Sequence, residues 1–215
     1  MDLSAYLTMA YIFVNTFRGM AASAKVAESQ GGKIRPDRMP NTALGKFISP
    51  VHGLSYFLPQ LAILVGMPFA GFGQPRWMRK WELPDCGIGK KERMGLRVAA
   101  CVLSFVMAHG FVKRGNKALG SQWHAIGRRE NTKVVKDGPY SVVRHPGYLS
   151  VVIQQALYGV MFWNWFPAAS LPITAAAFAL KMPIEEELIQ QDVFIAEDYR
   201  RYKKEVPYRV IPYLW

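Results

Sequence analysis

Acidic residues are scarce in this sequence, and cysteines are scarcer still. Fifteen aspartates and glutamates stand against 27 lysines and arginines in 215 residues, which leaves a formal net charge of +12. The two cysteines, Cys86 and Cys101, are spaced neither as a disulfide framework nor as a zinc site. The Walker, zinc-protease, nucleophile-elbow and dinucleotide-binding motifs are also missing. These absences remove the enzyme classes that such motifs define and leave no metal site to predict.

Charge is also absent from long stretches of the chain. Leu149–Leu180 contains no charged residue, and as a single helix it would be about 48 Å long. A hydrocarbon core is only about 30 Å thick, and Asn164 to Pro167 interrupt the run, so we predict a hairpin of two short spans. Three earlier apolar stretches predict one span each: Leu3–Ala27, Phe47–Gly73 and Met94–Val112.

The segment after the hairpin has a different character. Ile184–Val206 is charged but carries apolar residues at mostly helical spacing. This pattern predicts one amphipathic helix that lies on the membrane or caps the bundle. The fold class that follows is all-α, a multi-pass transmembrane helical bundle of about five spans with a C-terminal amphipathic helix.

The positive charge alternates with the apolar spans and is not interleaved with aromatic residues on one surface. This distribution favours an anionic membrane face over nucleic acid as the partner. The predicted spans leave three connections, over residues 30–46, 74–93 and 113–144, and a C-terminal segment after residue 180. Five spans place the first connection, the third connection and the C-terminal segment on one side, and most lysines and arginines fall in these three segments. The positive-inside rule therefore predicts that this side faces the cytosol.

The densest group of special residues is Gly138–Tyr148, with the sequence GPYSVVRHPGY. Its first two residues favour a turn, and Pro146 biases His145 towards an extended conformation. From the residues alone two interpretations stay open. The segment is either an interfacial loop whose Arg144 and His145 reach lipid headgroups, or part of a functional site.

Three adjacent carboxylates, Glu185–Glu187, follow the last apolar run on the same predicted side. Lys181 precedes Glu185 by four residues, so both side chains can project from one helix face. The acids either complement a helix macrodipole or hold a cationic or polyhydroxylated ligand. The second interpretation has weight because carboxylates beside a membrane span are costly unless a cation meets them.

The order of these features resembles the isoprenylcysteine carboxyl methyltransferase family of integral-membrane enzymes. The resemblance covers roughly Leu119 to Pro212, and an RHPxY turn followed by a helical hairpin and a glutamate pair is a fairly specific combination. The matching pieces are Leu119-Gly120, Trp123, Val134-Val135, Gly138-Pro139-Tyr140, Arg144 to Tyr148, Glu185-Glu186, Tyr199, Tyr202, Val206-Pro207 and Ile211-Pro212.

The resemblance implies transfer of the methyl group of S-adenosylmethionine to the carboxylate of a C-terminal prenylated cysteine. Such a carboxylate is already ionised near neutral pH, so catalysis would need alignment and electrostatics and no general base. Two alternatives stay open. One is a methyltransferase for another lipid or terpenoid acceptor, and the other is a membrane protein that uses the same scaffold without this activity.

The resemblance also assigns roles to residues. It implies that Arg144, His145 and Lys181 are catalytic and that Lys181 binds the substrate carboxylate. Relatives carry arginine at the Lys181 position, and lysine lacks the planar bidentate fork. They also carry a glutamine that has no clear counterpart around Gly127–Arg129. The implied cofactor-binding residues are Thr132, Lys133, Val134, Val135, Tyr140, His145, Pro146, Gly147, Tyr148 and Glu185.

For the whole chain, the length and the predicted spans favour one integral-membrane domain over residues 1–215. Residues 1–112 would form three N-terminal spans, and residues 113–215 would form the catalytic half, with the amphipathic helix completing a cytosolic pocket for S-adenosylmethionine. The implied partners are membrane lipids and a prenylated cysteine or another lipid-like acceptor. In a eukaryote the expected location is the endoplasmic reticulum.

Overall fold

The computed structural model describes residues 1–214, and this part of the chain is all-α. Among these residues there is no β-sheet, and two isolated bridges join Ile34 to Arg129 and Glu82 to Asn164. A π-helical segment, Met107–Val112, joins α4 to α5 without a break. The helices are α1 (Asp2–Gly31), α2 (Ala43–Phe69), α3 (Arg76–Arg79), α4 (Lys90–Val106), α5 (Lys113–Leu119), α6 (Pro146–Phe162), α7 (Leu171–Gln190) and α8 (Ala196–Glu205).

Three helical stretches of the described chain are long and apolar enough to cross a membrane: Ala43–Phe69, Lys90–Gln122 and Phe166–Gln190. Large apolar side chains such as Leu58 on α2 and Val102 on α4 are more than half exposed, as expected where lipid replaces water. The remaining two spans of the sequence-based count would be α1 and α6. Helix α6 has 17 residues and is therefore only about 25 Å long, so the count of five stays a prediction.

The bundle is held by pairwise helix packing. Helix α2 packs mainly on α7, and α4 packs mainly on α6. The largest buried apolar cluster draws residues from α1, α2, α4 and α6, including Met9, Met67, Ala100, Tyr158 and Phe162. This cluster contains no residue of the RHPGY turn.

The hairpin predicted within Leu149–Leu180 is confirmed. Helix α6 ends at Phe162, and Trp163 adopts a left-handed conformation that reverses the chain. The side chain of Asn164 is fully buried and donates to the Gln74 side-chain oxygen and to the Met78 carbonyl, both at 2.9 Å. A buried amide with these partners fixes the turn between the two short helices.

The prediction of one amphipathic helix over Ile184–Val206 is wrong. Helix α7 continues to Gln190, and a separate helix, α8, begins at Ala196. The break occurs because Asp192 is fully buried and its carboxylate accepts the Phe194 backbone N–H at 3.2 Å. A short acidic side chain that bonds its own backbone competes with the helix in this way.

The boundary predicted after the third span is also wrong. The span was placed over Met94–Val112, with a polar connection beginning at Lys113. The helix instead starts at Lys90 and runs through the π segment and α5 to Leu119. It continues because Lys113–Leu119 contains good helix formers and no proline, and it ends where Gly120 takes a positive φ of 46°.

Backbone contacts group the connections into two sets. The first connection bonds to the third, with the Arg35 N–H 2.8 Å from the Arg128 carbonyl oxygen. The C-terminal segment bonds to the RHPGY turn, with the Arg144 N–H 3.0 Å from the Tyr208 carbonyl oxygen. The second connection bonds instead to the hairpin turn, since the Leu83 N–H lies 3.1 Å from the Trp163 carbonyl oxygen. The three basic segments therefore adjoin one another.

Candidate active site

The RHPGY turn begins α6 and is held from the C-terminal side. Pro146 occupies the first helical position, where its missing N–H costs no hydrogen bond. The buried Arg144 donates to the Val206 and Pro207 carbonyl oxygens at 2.7 and 2.6 Å, and its Nε lies 3.0 Å from Glu186 Oε1. The Nε and Nη1 donors of Arg144 are thus bonded within the protein, which fixes the turn against α7 and the C-terminal segment.

Glu186 is the centre of an ion-pair network. Its side chain is 2% exposed, and four basic side chains reach its oxygens: Arg144 at 3.0 Å, His145 at 3.3 Å, Arg209 at 3.2 Å and Lys203 at 3.4 Å. A buried carboxylate is tolerated when it is paired and hydrogen-bonded in this way. The network joins the start of α6, α7, α8 and the C-terminal segment.

Glu185 turns to the other side and contacts different residues. The Tyr148 hydroxyl donates to Glu185 at 2.6 and 2.7 Å from its two oxygens. Lys181 Nζ lies 3.7 Å from Glu185 Oε1 and 5.4 Å from the centre of the Tyr148 ring. His145 stacks on Tyr148 with ring centroids 5.4 Å apart, and its Nδ1 is 3.7 Å from Glu185. The turn and the acidic run therefore meet.

A cavity of about 230 Å³ opens beside this group. Of the residues that sequence analysis assigned, Thr132 lies in a neighbouring, more open cleft. Neither Pro146 nor Lys181 is among the residues that line the cavity. The assigned residues that do line it are Lys133, Val134, Val135, Tyr140, Arg144, His145, Gly147, Tyr148 and Glu185.

One wall of the cavity is aromatic. Tyr199 and Tyr202 on α8 pack with Val134, and the Tyr202 hydroxyl donates to the Tyr140 carbonyl oxygen at 2.6 Å. Burial raises the pKa of Tyr140, of Tyr199 and of Tyr202. All three phenols are therefore protonated at neutral pH and can donate hydrogen bonds. Although α8 is shorter than predicted, it completes the cavity.

Sequence reasoning missed several lining residues: Asn116 lies on α5, and Gln122, His124 and Arg128 lie on the connection that follows it. Gln122 holds the connection, since its Nε2 donates to the Asn131 carbonyl oxygen at 2.8 Å and its Oε1 accepts the Lys133 N–H at 3.2 Å. Burial, with Arg128 nearby, lowers the pKa of His124 to about 3, so this imidazole is neutral. Polar residues in a polar connection give no signal of their burial, and only the fold reveals it.

Residues 99–191 match the model of the isoprenylcysteine carboxyl methyltransferase family. This matched part, which is less than half of the chain, is similar to that family. A 90-residue stretch is also 33% identical to protein-S-isoprenylcysteine O-methyltransferase B of Arabidopsis thaliana. That alignment covers 38% of this chain and 41% of the relative, so the chain spans less than half the length of the curated protein it matches.

The part that matches the methyltransferase family contains the RHPGY turn, the hairpin, Lys181 and Glu185. It ends at residue 191, before α8 begins. The Tyr199 and Tyr202 wall of the cavity is therefore supplied by a segment outside the match. The matched region and the C-terminal helix therefore form the cavity together.

Proposed function

We propose that the protein transfers the methyl group of S-adenosylmethionine to the carboxylate of a C-terminal prenylated cysteine at the membrane. The observation that carries the proposal is the contact of the Tyr148 hydroxyl with both oxygens of Glu185 at the cavity wall. These residues are 37 positions apart and lie in the two sequence features that define the resemblance. An interfacial turn that only meets lipid headgroups would need no half-buried carboxylate partner.

The residues around the cavity fit S-adenosylmethionine, which carries a sulfonium, an ammonium and a carboxylate. Glu185 supplies a negative charge, and the aromatic ring of Tyr140 is suited to a cation or to a stacked base. We propose that Thr132 to Val135, Tyr140, His145 to Tyr148 and Glu185 bind it. When bound, the cofactor would supply an activated methyl group, whose transfer to the carboxylate oxygen would leave the cofactor sulfur as a neutral thioether.

No residue of the chain needs to act as a base in this reaction, because the acceptor carboxylate is already ionised. His145 faces Glu185 and Glu186. We therefore propose that it forms a hydrogen bond to the cofactor and positions it, and does not act as a base. Arg144 holds the turn through Glu186 and the Val206 and Pro207 carbonyl groups. Lys181 remains the proposed partner of the acceptor carboxylate. The site would then have to align the acceptor carboxylate with the methyl group of the cofactor and exclude water.

Calorimetry with S-adenosylmethionine on detergent-purified protein tests the cofactor assignment. Tyr148→Phe removes only the hydroxyl that meets Glu185, and a lost hydrogen bond to a charged group costs about 1.5–3 kcal/mol. We expect at least tenfold weaker binding. Tyr158→Phe is the matched control, because Tyr158 lies on the same helix in the apolar cluster and should bind like wild type. A wild type without affinity, or two variants that bind alike, would overturn the cofactor assignment.

Methyl transfer to an S-farnesylated N-acetylcysteine tests the acceptor. The product should be a base-labile methyl ester, and the rate should change little between pH 7 and 9 because the carboxylate is ionised throughout. An amine acceptor would behave differently, since its reaction needs the deprotonated amine and would accelerate with pH. No ester from a prenylcysteine, despite firm binding of S-adenosylmethionine, would point to the alternative of another lipid acceptor.

A further inference from the structure

Two adjacent arginines on the third connection are equally buried but differently bonded. Arg128 is 5% exposed and Arg129 is 6% exposed. Arg129 donates from Nε to the Trp123 carbonyl oxygen at 2.9 Å and from Nη1 to the Gly32 carbonyl oxygen at 2.6 Å. The Nε of Arg128 is buried without a hydrogen-bond partner among residues 1–214. Backbone carbonyl groups therefore hold the Arg129 side chain, whereas the Arg128 Nε has no such partner.

Arg128 is one of the residues that line the cavity. The Asp192 Oδ1 accepts the Phe194 N–H, and its Oδ2 lies 3.7 Å from Arg35 without a hydrogen-bond partner among residues 1–214, so Asp192 does not bond Arg128. Burial lowers the pKa of Arg128, and the charges of Asp192 and Glu185 act in the opposite direction. An arginine keeps its proton in a protein, so the cavity contains a buried cation whose protein partners are incomplete. Such a group is costly unless a ligand supplies the counter-charge.

The backbone prevents Arg128 from leaving the cavity easily. The Arg35 N–H bonds the Arg128 carbonyl oxygen at 2.8 Å. The preceding Gly127 has a φ of 110°, and a Cβ there would lie 2.6 Å from the Met39 sulfur and 3.2 Å from Ile34 Cγ2. The segment is therefore clamped against the first connection. A fixed backbone with a free guanidinium is the arrangement expected of a preorganised binding group.

We propose that Arg128 is the anion-binding group of the cavity and pairs with a carboxylate of the bound ligand. Arginine presents a planar fork that matches a carboxylate in two parallel hydrogen bonds. Glu185 lies in the same cavity wall and provides the opposite charge, so together they suit a zwitterionic amino-acid group. The identity of the ligand rests on the proposed function, under which the carboxylate belongs either to S-adenosylmethionine or to the acceptor.

Thermal unfolding without ligand gives the first test, with the two arginines as a matched pair. Arg128→Leu should unfold at the wild-type temperature or above it, because it removes a buried charge with incomplete partners. Arg129→Leu should unfold several degrees lower, because it leaves the Trp123 and Gly32 carbonyl groups without donors. If Arg128→Leu is destabilised as much as Arg129→Leu, the guanidinium is structural and the proposal fails.

Arg128→Gln, which keeps hydrogen-bonding capacity without charge, separates the two carboxylate sources. If the cofactor carboxylate is bound, calorimetry should show at least tenfold weaker binding of S-adenosylmethionine and unchanged binding of its decarboxylated analogue. If the acceptor carboxylate is bound, cofactor affinity should hold while KM for the farnesylated N-acetylcysteine rises tenfold or more, with unchanged inhibition by its carboxamide. Variant and wild type behaving alike in both arms would overturn the proposal.

These results distinguish the anion site from the proposed function. If the wild type binds no S-adenosylmethionine while Arg128→Leu is at least as stable as wild type, the proposed function fails and an anion site for another ligand is supported. If the wild type binds S-adenosylmethionine and methylates the acceptor, but Arg128→Gln does both equally well, the proposed function survives and the anion site is refuted.

Discussion

At the scale of single residues, three consecutive glutamates have three different environments. Glu185 faces the cavity and Tyr148, Glu186 is buried among four basic side chains, and Glu187 is exposed. The sequence indicated that this run matters, because carboxylates beside an apolar span need partners. It could not assign the partners, since adjacent residues on a helix point in directions about 100° apart.

The pair Lys181 and Glu185 allows a prediction at this scale. Lys181 is 2% exposed and its Nζ is 3.7 Å from Glu185, so each loss strands a charge and could cost about 2–5 kcal/mol. If the proposed roles hold, Glu185→Ala should chiefly raise KM for S-adenosylmethionine, and Lys181→Ala should chiefly impair use of the prenylcysteine. Lys181→Arg should retain or improve that use because it restores a bidentate fork.

A double-mutant cycle on kcat/KM for each substrate measures these losses. If the two residues only pair with each other, both single variants will affect both substrates alike, and the double variant will be little worse than either. Strong coupling without substrate selectivity would therefore contradict the separate roles. Because Lys181 contacts Glu185, the two substitutions will show some coupling even if the roles are separate, so the difference between the two substrates decides the outcome.

At the scale of helices, apolar runs and breakers predicted the elements better than the ends of those elements. The hairpin within Leu149–Leu180 followed from a length that no bilayer accommodates and from the interruption after Asn164. The division of Ile184–Val206 could not be foreseen, because it depends on Asp192 being buried beside Arg35. That contact joins segments more than 150 positions apart, which periodicity within one segment cannot report.

The Glu186 network gives a prediction about how helices are held together. Glu186→Gln keeps the shape of the side chain but removes the charge that Arg144, His145, Lys203 and Arg209 share. Breaking a buried ion pair from one side costs about 3–5 kcal/mol, so the unfolding temperature in detergent should fall clearly. The exposed Glu187→Gln is the control and should change stability by less than about 0.5 kcal/mol. Equal stability of both variants would show that the network does not tie α6, α7 and the C-terminal segment together.

At the scale of the whole molecule, charge and backbone contacts agree on sidedness. The positive-inside rule groups the first connection, the third connection and the C-terminal segment. The structure brings the same segments into contact, through Arg35 with Arg128 and through Arg144 with Tyr208. The sequence could predict this grouping because two predicted spans, an even number, separate the first connection from the third and the third from the C-terminal segment. The sequence could not predict the cavity, because its lining combines side chains from α5, from the connection between α5 and α6, from α7 and from α8.

Cysteine accessibility in sealed membrane vesicles tests this arrangement. In a Cys86→Ser, Cys101→Ser background, Lys136→Cys and Lys204→Cys should react with a membrane-impermeant maleimide from the same side, since both belong to the basic group.

The native Cys86 provides the opposite reporter: it is exposed and lies in the second connection, which bonds the hairpin turn. Cys86 is tested alone, in a Cys101→Ser protein. In vesicles whose orientation lets the reagent reach Lys136→Cys and Lys204→Cys directly, we expect Cys86 to be labelled only after the vesicles are opened. If Lys136→Cys and Lys204→Cys report different sides, α8 cannot close the cavity that the third connection begins. In that case Tyr199 and Tyr202 would lose their place in the site, and the proposed cofactor pocket would have to be built from the family-matched region alone.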